Sequence, residues 1–462
     1  MRKFIVAAFV LILAAVPTAS AQNGAGDALT KSRAIEAMIW GMPIVNTDLM
    51  LQEALKVGAK PNDIVFWSRP VNWKNQTLTP NPDSIYFMSF WNVKDGPVVI
   101  DIPPASGGSL AGNIVTAWQM PLEDAGPEGA DKGKGGKYVI VPPGYTGKTP
   151  KGVFVLRPDT FSGFALLRSN LVSHSDADIE KSVAYGKRVK IYRLGGPETT
   201  NFVDAYDKMY DSTIRYDASF FANLNRAVQS EPWIDRDRVM IDQLRSLGIE
   251  KGKPFNPDTN TLAILDAAAH DAHAILSGWY DAGFPTMTPG AHWFSAALPD
   301  VVRASSTGYT DPNEYAVDGR GVSYTLGFTG IKRLGTAQFY LMASKDKDGN
   351  AFDGGSTYHL KVPANPPVKQ YWSLTAYDRE THALIKNVDR ASRASNASEV
   401  KKNPDGTVDL YIGPKAPAGK ESNWIPTDPA HKFEFLFQLY GPKPEFFERK
   451  WVLPDVEKAA AQ

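Results

Sequence analysis

Hydrophobic and polar positions change their spacing twice along the chain, and the first region runs from residue 30 to residue 174. It begins with apolar residues at three- and four-residue spacing behind Ser32, a predicted helix N-cap. Gly41 and Pro43 are expected to stop or kink this helix. Short apolar runs bounded by Gly, Pro and Asn follow, at 97–102, 137–141 and 152–157. The pattern predicts an antiparallel β-sandwich with a leading helix.

The spacing becomes helical between residues 175 and 290 and strand-like again between residues 321 and 456. Predicted helices are 176–193, 218–229, 233–247 and 262–279, with Ser and Asp near their starts as caps. Predicted strands are 338–343, 357–362, 369–377, 407–412 and 432–440. The last strand alternates apolar and polar residues, as a strand buried on one side would. We therefore predict a mainly β fold with α-helices, in which a helical connector joins two antiparallel sandwiches.

The first 21 residues have the pattern of a secretory signal peptide. A basic start at Arg2 and Lys3 precedes a 13-residue apolar run, and an Ala-x-Ala sequence ends at Ala21. The alternative is a membrane anchor, but a spanning helix needs about 20 apolar residues. We expect cleavage after Ala21, export to the periplasm or the extracellular space, and a soluble mature protein that does not insert into membranes.

Composition narrows the classes of function. The 462 residues include 50 basic and 50 acidic side chains, and a net charge of zero argues against a nucleic-acid partner. The absence of cysteine excludes disulfides, thiolate metal sites and cysteine nucleophiles. No Gly-x-Ser-x-Gly elbow and no phosphate-binding Gly-x-x-x-x-Gly-Lys-Ser/Thr loop occur in the chain.

Two segments have residues suited to metal binding, and both have simpler explanations. Asp266, His270 and His273 would share one face of a helix, although packing and surface roles are commoner for such a pair of histidines. The segment 345–350 resembles a calcium loop, but its glycine is at the wrong position and no Glu ends the loop. We expect a hairpin tip there, and no metal or other cofactor anywhere in the protein.

Polar and aromatic residues are densest in one segment of each β region. The first runs from Thr79 through Asn81 and Asp83 to Tyr86 and Trp91, and the second is 370–378. Turn capping and core packing would explain both segments. The functional alternative is an aromatic pocket with an Asp as acid, base or orienting group.

These segments carry a resemblance to a two-part bacterial family. Residues 37–43, 81–86, 96–100 and 138–147 look like its N-terminal half, domain of unknown function 1254. The C-terminal half is similar to domain of unknown function 1214 at the following places: Asp353-Gly354, Tyr358-His-Leu, 370–378, Asn387, 405–411, Asn423-Trp424-Ile-Pro426 and Leu439-Tyr440-Gly-Pro442. The resemblance implies two jelly-roll-like β-sandwiches with helical additions, partly similar to viral coat proteins, and implies little about activity.

The chain departs from the family pattern at three places. The family usually has Arg-Asp where this chain has Pro82-Asp83, Arg-Tyr after the position of Asn387, and an Arg at Gln438. If those arginines bind a ligand in relatives, the site of this protein is altered.

Three functions remain open on this basis. The first is a small-molecule enzyme of hydrolase or lyase type with its site between the sandwiches; whether the protein is an enzyme is left undecided. The second is a non-catalytic protein that binds a small-molecule ligand, and the third is a structural or assembly protein that forms a homo-oligomer. Candidate catalytic residues are Asp83, Tyr86 and Tyr377, and candidate ligand-binding residues are Asn81, Trp91, Trp372, Asn387, Asn423 and Trp424.

Overall fold

A computed structural model describes residues 18–327, 330–333, 335 and 337–459 of the chain. Most of the predicted signal peptide lies outside these residues, so its cleavage stays a prediction. No helix within the described ranges combines the length and the apolar character that crossing a membrane requires.

The described residues form helices and strands in all three regions. The helices are α1 Thr18–Lys56, α2 Asp176–Gly186, α3 Ser219–Ser230, α4 Arg238–Ser246, α5 Thr259–Ala282, α6 Pro299–Ser306, α7 Val317–Leu326 and α8 Pro444–Phe447, with 3₁₀ turns at Asp235–Asp237 and Glu421–Asn423. The strands up to the connector are β1 Ile64–Phe66, β2 Asn75–Gln76, β3 Ser84–Asn92, β4 Val98–Ile102, β5 Leu110–Thr116, β6 Pro121–Ala125, β7 Gly136–Ile140, β8 Phe154–Leu156, β9 Ser162–Asn170, β10 Lys190–Arg193, β11 Phe202–Asp204 and β12 Tyr210–Asp211. The later strands are β13 Phe294–Ser295, β14 Gln338–Ala343, β15 Tyr358–Val362, β16 Trp372–Asp378, β17 Ser392–Ala394, β18 Val408–Gly413, β19 Trp424–Pro426, β20 Phe433–Tyr440 and β21 Glu457–Lys458.

The leading helix is longer than the sequence predicts. Ser32 is inside α1 and donates to the carbonyl of Ala28 instead of capping a helix start. Gly41 and Pro43 do not stop the helix, since α1 continues through both, and a kink at these residues stays a prediction. A Cβ on Gly41 would lie 3.0 Å from Leu224, so glycine allows α3 to approach closely. Packing of α1 against α3, α5 and α7 outweighs the hydrogen bond that proline removes.

In the N-terminal half, a six-stranded and a four-stranded sheet share one apolar core. Their strand orders are β11-β1-β3-β9-β5-β6 and β10-β4-β7-β8. Phe87 and Leu167 from the first sheet, and Ile100 and Tyr138 from the second, belong to the same buried cluster. Most strand pairs are antiparallel, but β1 with β11 and β7 with β8 are parallel. The sheets are therefore mixed, whereas the sequence predicted purely antiparallel sheets.

The predicted helix 176–193 is helical only in its first part. Ser175 caps α2 as expected and accepts from the amide of Asp178, but the helix ends at Gly186. Residues 190–193 form β10, which pairs antiparallel with β4. Ile191 and Tyr192 are buried on opposite faces of the sheet, between the exposed Lys190 and Arg193, so pairing at the sheet edge outweighs helical propensity here.

In the C-terminal half, a five-stranded sheet (β13-β14-β20-β16-β17) packs with a four-stranded sheet (β19-β18-β15-β21). All five strands predicted here are present, within a few residues at each end. The prediction of one buried face on β20 is wrong because all eight residues of the strand are buried. The carboxylate of Glu434, on the supposedly exposed face, accepts from the Tyr280 hydroxyl of α5 at 2.6 Å, and the Nδ1 atom of His382 lies 2.6 Å from it.

The helices form a third apolar core together with the remaining sheet faces. Buried side chains of α1, α3, α5 and α7 join Tyr86 and Leu166 of the N-terminal half and Met342 and Leu436 of the C-terminal half. Strands β3 and β9 therefore face strands β14 and β20 across a shared interior.

Candidate functional site: a cavity between the two halves

A large cavity has walls from both halves of the protein. Met88 and Phe164 of the N-terminal half line one wall, and Tyr340, Met342 and Leu436 of the C-terminal half line the opposite wall. Its empty space, including the solvent at its opening, is about 1090 Å³. Apolar walls with a few polar groups are typical of sites that bind small molecules.

Arg168 on β9 is the charged residue of this cavity. Its side chain is buried, with the residue 6% exposed. Nη1 donates to Oε1 of Gln338 at 2.6 Å and lies 3.5 Å from the Tyr340 hydroxyl, whereas Nε is buried without a hydrogen-bond partner. The guanidinium also lies 5.9 Å from the ring centre of Tyr86, which faces it across the β3–β9 pair. All of these neighbours are uncharged groups.

Arg168 has no ion-pair partner among the described residues. Within the described ranges, no Asp or Glu oxygen lies within ion-pair distance of its guanidinium. The side chains outside those ranges include neither Asp nor Glu. Burial raises the pKa of Tyr86 and of Tyr440, so both phenols stay neutral at neutral pH. Arg168 thus holds a buried positive charge without an ion-pair partner among the described residues.

A second cavity of about 650 Å³ adjoins the first, and Arg168 and Gln338 line both. Its wall holds more charged side chains than the wall of the first, with Asp124, Glu128 and Arg333. The Asp124 carboxylate accepts from Asn113 and from the backbone amides of residues 332 and 333. Arg168 therefore lies at the boundary between a space whose described wall contains no carboxylate and a space whose wall contains two.

The loop before β3 is held in place by tyrosines of the C-terminal half. Tyr377 donates to the carbonyl of Pro80 at 2.9 Å, and Tyr371 donates to the carbonyl of Asp83 at 3.0 Å. The Asn81 side chain donates to the Tyr440 hydroxyl, and its backbone amide donates to Tyr86 at 2.8 Å. Asn81 and Tyr86, both predicted from the sequence as site residues, line the cavity as a result.

Asp83 and Tyr377, two of the three predicted catalytic residues, lie beside the cavity and not in its wall. Asp83 is 2% exposed; its Oδ1 accepts from the Ser392 hydroxyl at 2.8 Å and lies 3.9 Å from Nε2 of His174. Burial raises the pKa of the Asp83 carboxyl, and the charge of His174 opposes this rise. The aspartate thus joins the two halves through Ser392, and its location among buried groups gives a substrate no evident access.

The other predicted ligand-binding residues are distributed over the two halves and are not in the described wall of the cavity. Trp91 is in the core of the N-terminal half, and Trp372 stacks on Phe437 in the core of the C-terminal half. Asn387 is an exposed turn residue with a φ of 61°, a conformation that asparagine tolerates. The side chain of Asn423 binds the backbone of residues 401 and 409, and Trp424 donates to the carbonyl of residue 413.

Sequence reasoning missed Arg168, Gln338, Tyr340 and Tyr440 as site residues. One signal was present, because Arg168 interrupts the apolar run Phe-Ala-Leu-Leu of strand β9. A charged residue inside a buried strand is uncommon unless it has a partner or a function. Its proximity to Gln338 depends on how the halves pack, which the spacing of residues does not encode.

The proposed metal-binding segments have structural roles. His273 stacks on Tyr216 with ring centres 3.8 Å apart, and His270 lies 3.6 Å from Asp266 on the surface of α5. The segment 345–350 is a hairpin tip in which Asp346 accepts from the amides of residues 348 and 350. In the part of the chain that the structure describes, no group of three His, Asp or Glu side chains is arranged to hold a metal ion.

The fold and this cavity define a two-part, β-rich protein. Its two halves, together with a cluster of helices, enclose a pocket. The family models "Protein of unknown function (DUF1254)" and "Protein of unknown function (DUF1214)" match residues 61–193 and 337–444. The chain therefore belongs to the family that combines these two parts in this order, which confirms the resemblance seen in the sequence.

Two solved structures are similar to the chain over most of its length. The VPA0106 protein from Vibrio parahaemolyticus is 18% identical, with a TM-score of 0.56 over 93% of this chain and 100% of its own. An uncharacterized protein from Burkholderia cenocepacia is 12% identical, with a TM-score of 0.42 over 96% of this chain and 98% of its own. No curated protein matches. The first of these structures supports a shared fold and says nothing about function.

Proposed function

We propose that the protein binds a small molecule with an apolar body in the cavity between its halves. The observation that carries this proposal is an apolar pocket with walls from both halves, into which a few polar groups project. The walls come from separate sheets, and hydrogen bonds from Tyr371 and Tyr377 hold the halves together beside it. A cavity with such fixed walls is preorganised, which lowers the entropic cost of binding.

Binding is favoured over catalysis by the position of the acidic residue. A hydrolase or lyase needs a general acid or base within reach of the substrate. Asp83 has a raised pKa, as a catalytic acid would, but it is not in the wall of the cavity. An enzymatic activity therefore stays a prediction that rests on the sequence.

The proposal also includes export and a jelly-roll-like arrangement of each half. The signal-like residues 1–21 support export, which would bring the protein to ligands of the periplasm or the exterior. Pairing of strands far apart in sequence, such as β3 with β9 and β14 with β20, supports a jelly-roll-like arrangement of each half. The homo-oligomer stays a prediction too.

A blocking variant tests the proposal. A neutral naphthylamine dye that fluoresces in apolar sites would be titrated into the wild type and into Ala296→Trp, whose new indole would fill the cavity. The matched control is Ala418→Trp, at an exposed turn. Native mass spectrometry of the protein purified from the exported fraction would identify any retained molecule.

We expect saturable dye binding by the wild type and by Ala418→Trp, and binding weaker by about tenfold or more in Ala296→Trp. Equal binding by all three proteins would locate the dye elsewhere and overturn the proposal. Absence of dye binding together with absence of a retained molecule would also overturn it.

A further inference from the structure

Resting on the proposed function, we propose that the ligand is a monocarboxylate whose carboxylate pairs with Arg168 while its apolar body fills the cavity. Arg168 is a permanently charged group in the cavity wall, 6% exposed, with no acidic side chain within ion-pair distance among the described residues. A buried charge without a partner is costly, and proteins keep such groups mainly where a ligand or a function compensates them. The missing partner is therefore an anion supplied by the ligand.

The surroundings of Arg168 fit a single negative charge. Its hydrogen-bond partners are the Gln338 carbonyl oxygen and the Tyr340 hydroxyl, both uncharged. No second cation contacts the guanidinium among the described residues. A phosphate dianion would keep one charge uncompensated in this buried place, whereas a carboxylate carries one charge and matches the planar guanidinium.

The position of the arginine also gives the ligand an orientation. On one side of Arg168 the wall is apolar, with Met88, Phe164 and Leu436. On its other side is the smaller cavity, whose wall contains the carboxylates of Asp124 and Glu128 and the cation Arg333, which lies 3.8 Å from Asp124. Since the acidic groups outnumber the cation there, the ligand is expected to extend from Arg168 into the larger, apolar space.

Three ligands that differ only in their head group test this inference. Decanoate, decanol and decylamine would compete with the neutral dye for the wild type, Arg168→Met, Arg168→Gln and the control Arg157→Met. Arg157 is an exposed arginine whose Nη1 binds the backbone of residue 145. Decanol measures occupation of the apolar cavity, and decanoate measures the added effect of the charge.

We expect the wild type and Arg157→Met to bind decanoate about tenfold or more tighter than decanol, since a charge-assisted contact adds to burial of the same chain. In Arg168→Met and Arg168→Gln this preference should fall to about twofold or less, because decanoate loses its charge-assisted contact.

The remaining outcomes separate the two proposals. If decanol equals decanoate in the wild type, or if the preference persists without Arg168, the carboxylate inference is overturned while the cavity function stands. Tighter binding of decylamine would overturn it as well. If none of the three ligands displaces the dye although Ala296→Trp abolishes dye binding, linear amphiphiles are excluded as ligands and the carboxylate inference fails. If Ala296→Trp does not change dye binding, the proposed function itself fails. The preference of the wild type for decanoate over decanol tests the inference even if a variant does not fold.

Discussion

Replacing Arg168 with methionine should stabilise the fold while removing the anion partner. The substitution keeps a long, unbranched side chain in the cavity wall and removes a charge that has no ion-pair partner among the described residues. Exchanging buried charges for apolar side chains of similar volume is often neutral or stabilising by about 1–4 kcal/mol. It also removes the unpaired Nε atom, for which a desolvation penalty of about 1–3 kcal/mol applies.

Three contacts are lost and oppose this gain. Oε1 of Gln338 loses its donor, which costs about 1–3 kcal/mol if no water replaces it. The 3.5 Å contact with the Tyr340 hydroxyl is lost as well. The guanidinium also lies 5.9 Å from the ring of Tyr86, and a cation–π contact contributes about 2 kcal/mol at a desolvated site. The balance favours the variant by up to about 1 kcal/mol in the free energy of unfolding without ligand.

Urea unfolding of ligand-free protein, followed by intrinsic fluorescence and by circular dichroism, would measure the difference. The control is Arg157→Met, which should change the free energy by less than about 0.5 kcal/mol because Arg157 is exposed. A loss of more than about 1 kcal/mol in Arg168→Met would refute the reasoning, since it would mean that the folded protein compensates the charge.

Three further substitutions test other parts of the fold. Glu434→Ala should lower the free energy of unfolding by about 3–5 kcal/mol in urea titrations, because it removes a fully buried carboxylate and leaves its donors unpaired; a loss below about 1 kcal/mol would show that the cluster is not structural. Burial raises the pKa of Asp409, but hydrogen bonds from Asn403 and His359 outweigh burial and lower the pKa overall. The ionised carboxylate therefore stabilises the fold above the ordinary carboxyl pKa, and this contribution is lost as the pH falls through the lowered pKa. Asp409→Asn should therefore flatten the decline of the urea midpoint between about pH 5 and pH 3, and an unchanged slope would contradict this. Gly163→Ala would place a Cβ against the backbone oxygen of Val115 in β5 and should lower the thermal midpoint, with a cost of about 1–3 kcal/mol; an unchanged midpoint would show that the strands separate easily there.

The fold was predictable where periodicity alone decides the structure. Strand β14 has the predicted bounds, and β15, β16, β18 and β20 differ from theirs by one to three residues, because alternation and flanking turns mark a strand locally. The errors occur where packing overrides local preference. Pro43 remains helical because α1 packs against other helices, and Glu434 is buried because Tyr280 of α5 and His382 lie against its carboxylate.

The candidate site was predictable only in part for a related reason. Asn81 and Tyr86 belong to one short segment, so a single sequence motif identifies both. Arg168 and Gln338 are 170 residues apart and meet only because β9 and β14 face each other across the halves. Side chains such as Trp91 and Trp372 have the composition of a binding site but fill the cores of their own halves.

The contacts that hold the halves together also determine the shape of the cavity, which links ligand binding to stability. Tyr371 and Tyr377 bind the backbone of residues 80–83, and Asn81 within that segment is part of the cavity wall. Separation of the halves would therefore destroy the pocket, so a ligand that binds only the assembled form stabilises it by about 2.7 kcal/mol at a hundred times its Kd. A carboxylate ligand would additionally neutralise Arg168, the group whose burial opposes assembly. The protein should consequently be least stable when empty and gain stability on binding through both halves at once.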